Sequence, residues 1–182
     1  MRRKINKIAS FLLAIWIVLT VFLVLAHFKS LYYPFYQTNE LKPVLEESHN
    51  FIFCNGEEPI ELGEKEVSHL IDVKILFQFL KAIWALLLLL VFGINRKLKI
   101  GKVRTGVYLL IISLLSLIII PFFNFFFSNV HKLFFKNQSW IFPVDSLILQ
   151  VFPMIYFKTF FIILISISLL IGLILVLFKK NQ

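Results

Sequence analysis

EVSHLIDVKILFQFLKAIWALLLLLVFG, residues 66–93, changes character along its length. From about residue 74 it is an apolar run long enough to cross a bilayer. Ahead of that run, Glu66, His69, Asp72 and Lys74 fall within nine residues. Ionisable side chains are costly at membrane depth and are retained there chiefly for function. The stretch therefore predicts a spanning helix with a polar site at its mouth.

The remaining sequence agrees with a membrane protein. The chain has 182 residues, 59% of them hydrophobic, and a mean hydropathy of +0.88. A soluble domain averages about 45–50% apolar residues. Four apolar runs predict spans over roughly 8–28, 74–94, 104–127 and 158–178, in a single membrane domain over 1–182. The first run follows the basic MRRKINK and is too long for a signal-peptide core, so it reads as an uncleaved anchor. The expected fold is an all-α bundle of four transmembrane helices. The single cysteine, Cys54, excludes an internal disulfide and a cysteine-based zinc site. No glycine-rich phosphate loop is present, which argues against nucleotide-driven chemistry, and no cofactor is implied.

Charge orients the spans. The N-terminus, the 95–104 connection and the C-terminus together carry eleven basic residues and no acidic one. The remaining eight lysines and all ten acidic residues belong to the other side. The positive-inside rule then places both termini in the cytoplasm. Anionic lipid on the inner leaflet accounts for the basic loop without nucleic acid.

Two outer segments, about 29–73 and 128–157, remain. In the first, Leu41, Val44, Leu45, His49, Ile52 and Phe53 recur at helical spacing opposite Glu46 and Glu47, predicting an amphipathic helix that ends near Asn55-Gly56. Gly63 then starts a helix that runs unbroken to about Phe92. The second segment is too apolar for a solvated loop and reads as interfacial or re-entrant, with Trp140 at the interface. Asp145 is placed to cap a short helix over 146–151, stopped by Pro153.

On a helix, Glu66, His69 and Asp72 share one face. A carboxylate beside a histidine can fix its tautomer and raise its basicity. Lys74, Gln78 and Lys81 form a second stripe. Ser113, Ser116, Asn124 and His131 form another on the third span, kinked at Pro121. A cavity between spans two and three is expected to collect His69, Asp72, Lys74, Asn124 and His131. Plainer readings stand beside these. His27 and His49 suit simple interfacial roles, the serines suit helix–helix contacts, and Lys81 can snorkel. Zinc held by His69, His131 and one carboxylate is an open alternative.

EVSHLIDVK, followed by VHKLFFKNQSWIFPVDSLILQVFP, resembles the bacterial lipoprotein intramolecular transacylase (Lit) family. The chain departs from the expected pattern in having Pro153-Met154 where a Pro-Glu pair is expected. The resemblance implies an acyltransferase of the bacterial plasma membrane whose site faces outward. Its substrate would be a lipoprotein with a diacylglyceryl-cysteine N-terminus. The sn-2 acyl chain would move to the α-amino group of that cysteine, giving a lyso-form. Carried over by motif, His69 and His131 are catalytic, and Glu66, Asp72 and Lys74 support them. Asn124, Trp140 and Asp145 are expected at the substrate. Membrane lipids are the other expected partners, with no metal, nucleotide or nucleic acid. A metal-dependent membrane lipid hydrolase and a non-catalytic partner subunit are the alternatives.

Overall fold

In the computed structural model, residues 2–31, 34, 40–97, 100–135 and 138–178 are described. Lys99, Lys179 and Lys180 of the basic count lie outside them. Among the described residues all regular structure is helical. In chain order the elements are α1 (Arg2–His27), the 3-10 turn η1 (Lys29–Leu31), α2 (Leu41–Phe53), α3 (Glu64–Lys97) and α4 (Lys102–Leu117). Then come α5 (Phe123–Phe134), the 3-10 turn η2 (Gln138–Trp140), α6 (Leu147–Val151) and α7 (Met154–Leu177).

Three stretches, Arg3–His27, Glu64–Arg96 and Leu147–Leu177, are long and apolar enough to cross a membrane. Phe79, Leu86, Leu89 and Phe92 on α3, and Leu170, Leu173, Ile174 and Leu177 on α7, are exposed. Exposed apolar area on this scale is stable only against lipid, so the chain is an integral membrane protein. The 34 residues of α3 rise about 50 Å at 1.5 Å per residue. That exceeds a hydrocarbon core of about 30 Å, so α3 extends beyond it. The polar cluster occupies its first turns.

The expected third span is not one helix. α4 stops at Leu117, and Ile118, Ile119 and Ile120 donate to carbonyls three residues back. Pro121 has no N–H and disfavours helical backbone at the residue before it. The sequence predicted a kink here; the structure has a break, and α5 restarts at Phe123.

The chain divides into two compact units. The first comprises Met1–Leu25, Leu80–Pro121 and Phe161–Gln182. Trp16 and Trp84 stack at 5.9 Å, and Trp84 Nε1 donates to Thr20 Oγ1 at 2.8 Å. A Cβ on Gly106 would sit 2.8 Å from the Gly172 carbonyl oxygen, so α4 and α7 approach backbone to backbone through small residues.

The second unit comprises Ala26–Phe79 and Phe122–Phe160. Its core joins Val44, Leu45, Phe51 and Ile52 of α2 to Leu70 of α3, Ile148 and Val151 of α6, and Tyr156. The amphipathic spacing read from the sequence is the face that packs here. α2 ends as expected: Asn55 takes the left-handed conformation at φ 56°, and the Gly56 N–H donates back to the Asn50 carbonyl.

Candidate active site

The second unit brings His69 and His131 together. His69 lies one and a half turns into α3 and is buried. His131 lies near the end of α5 and is half-buried. Their ring centroids are 6.1 Å apart.

α5 fixes His131 through its own backbone. His131 Nδ1 lies 2.9 Å from the Phe127 carbonyl oxygen, one turn back. A carbonyl only accepts, so Nδ1 carries the proton, and in neutral His131 the lone pair is on Nε2. Burial lowers the pKa of His131 below the ordinary 6.5, against the opposing pull of the Phe127 carbonyl. His131 is therefore neutral at pH 7, with Nε2 free to take a proton. His69 Nδ1 is buried and hydrogen-bonds to none of the described residues.

The segment after α5 supplies an aromatic surround. Phe135 lies 4.9 Å from the His69 ring and 5.3 Å from the His131 ring. Phe142 lies 5.5 Å from His69, and Trp140 lies 5.5 Å from His131. Phe127 closes on His131 at 4.0 Å. Of the expected substrate residues, Trp140 is thus at the histidine pair. Asn124 is exposed two turns before His131, about 10 Å along the helix.

Glu66 and Lys74 take different partners from those the spacing suggested. Glu66 does not serve His69. Its Oε2 accepts from the Gly63 N–H at 2.9 Å, closing the N-terminus of α3 as a capping box does. Its Oε1 accepts from the Ile148 N–H, also at 2.9 Å, and so caps α6. That corrects the role expected of Asp145, which is exposed; the N-cap of α6 is Ser146, which makes no side-chain cap bond. Asp72 accepts from Ser139 Oγ at 2.9 Å. The Lys74 ammonium sits 4.3 Å over the Phe51 ring of α2, a cation–π contact. His49 is buried in α2 against Phe53, and burial together with the Lys29 charge lowers its pKa to about 4.

Phe135, Ser139 and Phe142 were not singled out in the sequence. Their segment read only as interfacial, because an aromatic run does not tell which ring it covers. Among the described residues, no three His, Cys, Asp or Glu side chains converge to hold a metal ion.

The exposed apolar helices and the paired histidines define a multi-pass helical membrane protein with acid–base groups at one site. The family model for the lipoprotein intramolecular transacylase Lit matches residues 7–157, most of the chain, and the chain belongs to that family. It is accordingly a membrane acyltransferase of lipoprotein modification. Among solved structures, the membrane integral lipoprotein intramolecular transacylase Lit from Bacillus cereus is similar, with a TM-score of 0.76 and 17% identity over 96% of this chain and 92% of that one. At that identity the likeness establishes the fold. No curated protein matches the chain.

Proposed function

We propose that the protein moves the sn-2 acyl chain of a diacylglyceryl-cysteine lipoprotein to the α-amino group of the same cysteine, with His69 and His131 as the catalytic pair. The observation that carries this reading is the pair itself: two imidazoles 6.1 Å apart, one of them held with Nε2 as acceptor. The amine nitrogen attacks the ester carbonyl carbon, and His131 Nε2 takes the proton the nitrogen sheds. As the C–O bond breaks, the pair returns a proton to the sn-2 oxygen through His69, leaving an amide, an alcohol and an unchanged site. Ester-to-amide transfer is downhill and needs no activated donor. Donor and acceptor share one molecule, so folding the substrate against the site exploits a large effective molarity. In this reading Trp140, whose ring lies 5.5 Å from that of His131, meets the substrate.

The proposal includes topology. The N-terminus, the 95–104 connection and the C-terminus, which carry the excess of basic residues, face the cytoplasm of a bacterium, and the chain crosses the plasma membrane four times. α4, with 16 residues, spans about 24 Å. The turn over 118–122 completes the crossing, and the histidines face outward at the surface where lipoprotein N-termini lie.

Mass spectrometry of lipoprotein N-terminal peptides tests the reaction. Diacyl peptide should convert to lyso-form with no free fatty acid, and a substrate with a blocked α-amine should not react. Release of acyl chain from the blocked substrate at the normal rate would sink the transacylase reading and leave a hydrolase.

A further inference from the structure

Lys65, His69 and Asp72 stand at i, i+4 and i+7 on α3, so they share one face with the histidine in the middle. Both flanking residues hold the same short stretch, residues 139–142. Asp72 Oδ2 accepts from Ser139 Oγ at 2.9 Å, and Ser139 is buried. Lys65 Nζ donates to the Ile141 carbonyl oxygen at 2.6 Å. Each anchored residue adjoins an aromatic ring that lies on a histidine. Trp140 follows Ser139 and contacts His131; Phe142 follows Ile141 and contacts His69. Trp140 belongs to the short turn η2, and residues 141–143 have no regular structure. Besides the local backbone bond from the Ile141 N–H to the Gln138 carbonyl, side-chain bonds to α3 hold this stretch.

We propose that Ser139 and Lys65 are positioning residues for the histidine pair, clamping residues 139–142 to α3 so that Trp140 stays on His131 and Phe142 stays on His69. This rests on the histidine reading above. The clamp keeps water from the His131 ring, and the burial that lowers the pKa of that ring is supplied partly by Trp140. Loss of the clamp lets Trp140 swing out, hydrates His131 and moves its titration back up toward 6.5. Neither residue meets the reacting atoms.

The test is the pH profile of kcat/KM for the full-length protein in lipid, with a diacyl lipopeptide as substrate. S139A should lower kcat about three- to tenfold, the worth of one hydrogen bond, and shift the acid limb upward. S139T keeps the hydroxyl and should leave that limb in place. K65M, at an exposed residue, should shift it in the same direction as S139A. An acid limb unmoved in S139A overturns the inference; should S139A not accumulate in the membrane, an unmoved limb in K65M does so instead. H131Q separates this from the parent reading. If H131Q stays active, the histidine mechanism fails and the clamp falls with it. If H131Q is inactive while S139A and K65M keep the wild-type limb, only the clamp is lost.

Discussion

Phe127 decides which nitrogen of His131 carries a proton, and that choice has kinetic consequences. Burial holds His131 below 6.5, whereas a peptide α-amine titrates at about 7.7–8.0. The rate should therefore rise with pH in two limbs. The lower belongs to His131 and lies below 6.5; the upper belongs to the substrate amine. H131Q should remove the lower limb from the residual rate, and a lower limb that persisted would have to be assigned to another group. General acid–base residues contribute about 10²–10⁴-fold, so H69A and H131A should each nearly abolish turnover. Residues acting as a unit are not additive, and the double variant should be scarcely slower than the worse single one. The same titration acts on the fold. The unfolded chain takes up the His131 proton first, so this residue's contribution to stability is complete above about 6.5. It falls away as pH drops from there toward the lower folded value.

Among elements, α3 shows what spacing can and cannot reveal. Its start at Gly63 and its polar mouth followed from the order of residues, while its end, expected near Phe92, comes later, at Lys97. So did α2, because periodicity and the Asn55 stop are local signals. The partners of Glu66 and Lys74 did not follow, since they come from Ile148 and Phe51, and neither did the Ser139 hydroxyl that Asp72 also holds. A carboxylate three residues from a histidine looks like its orienter, yet backbone N–H groups compete for it, and at Glu66 they hold both oxygens. The expected third span was legible as apolar but not as broken, because the cost of Pro121 depends on whether α5 packs better as a separate helix. Glu66 gives a direct test at this scale. E66A removes two bonds to a charged acceptor, each worth about 1.5–3 kcal/mol where shielded and less where solvent reaches it. The denaturation midpoint should fall clearly. E66Q retains one acceptor oxygen and should lie between E66A and wild type. Three equal midpoints would show that Glu66 holds neither helix end.

For the whole molecule, the charge asymmetry predicts orientation. A reporter active only in the cytoplasm should work when fused after Gln182 and be silent when inserted near Glu58. The reverse pattern would place the histidines on the inner side. The order of the chain adds a constraint in time. Lys65, Glu66 and Asp72 find their partners 76, 82 and 67 residues later. At roughly 5–20 residues per second of synthesis, α3 emerges some seconds before the stretch it must grip. During that interval His69 has neither its companion nor its cover. A nascent chain can thus enter the bilayer with its early helices in place while the proposed histidine site is still incomplete, because that site assembles only once translation has passed residue 148.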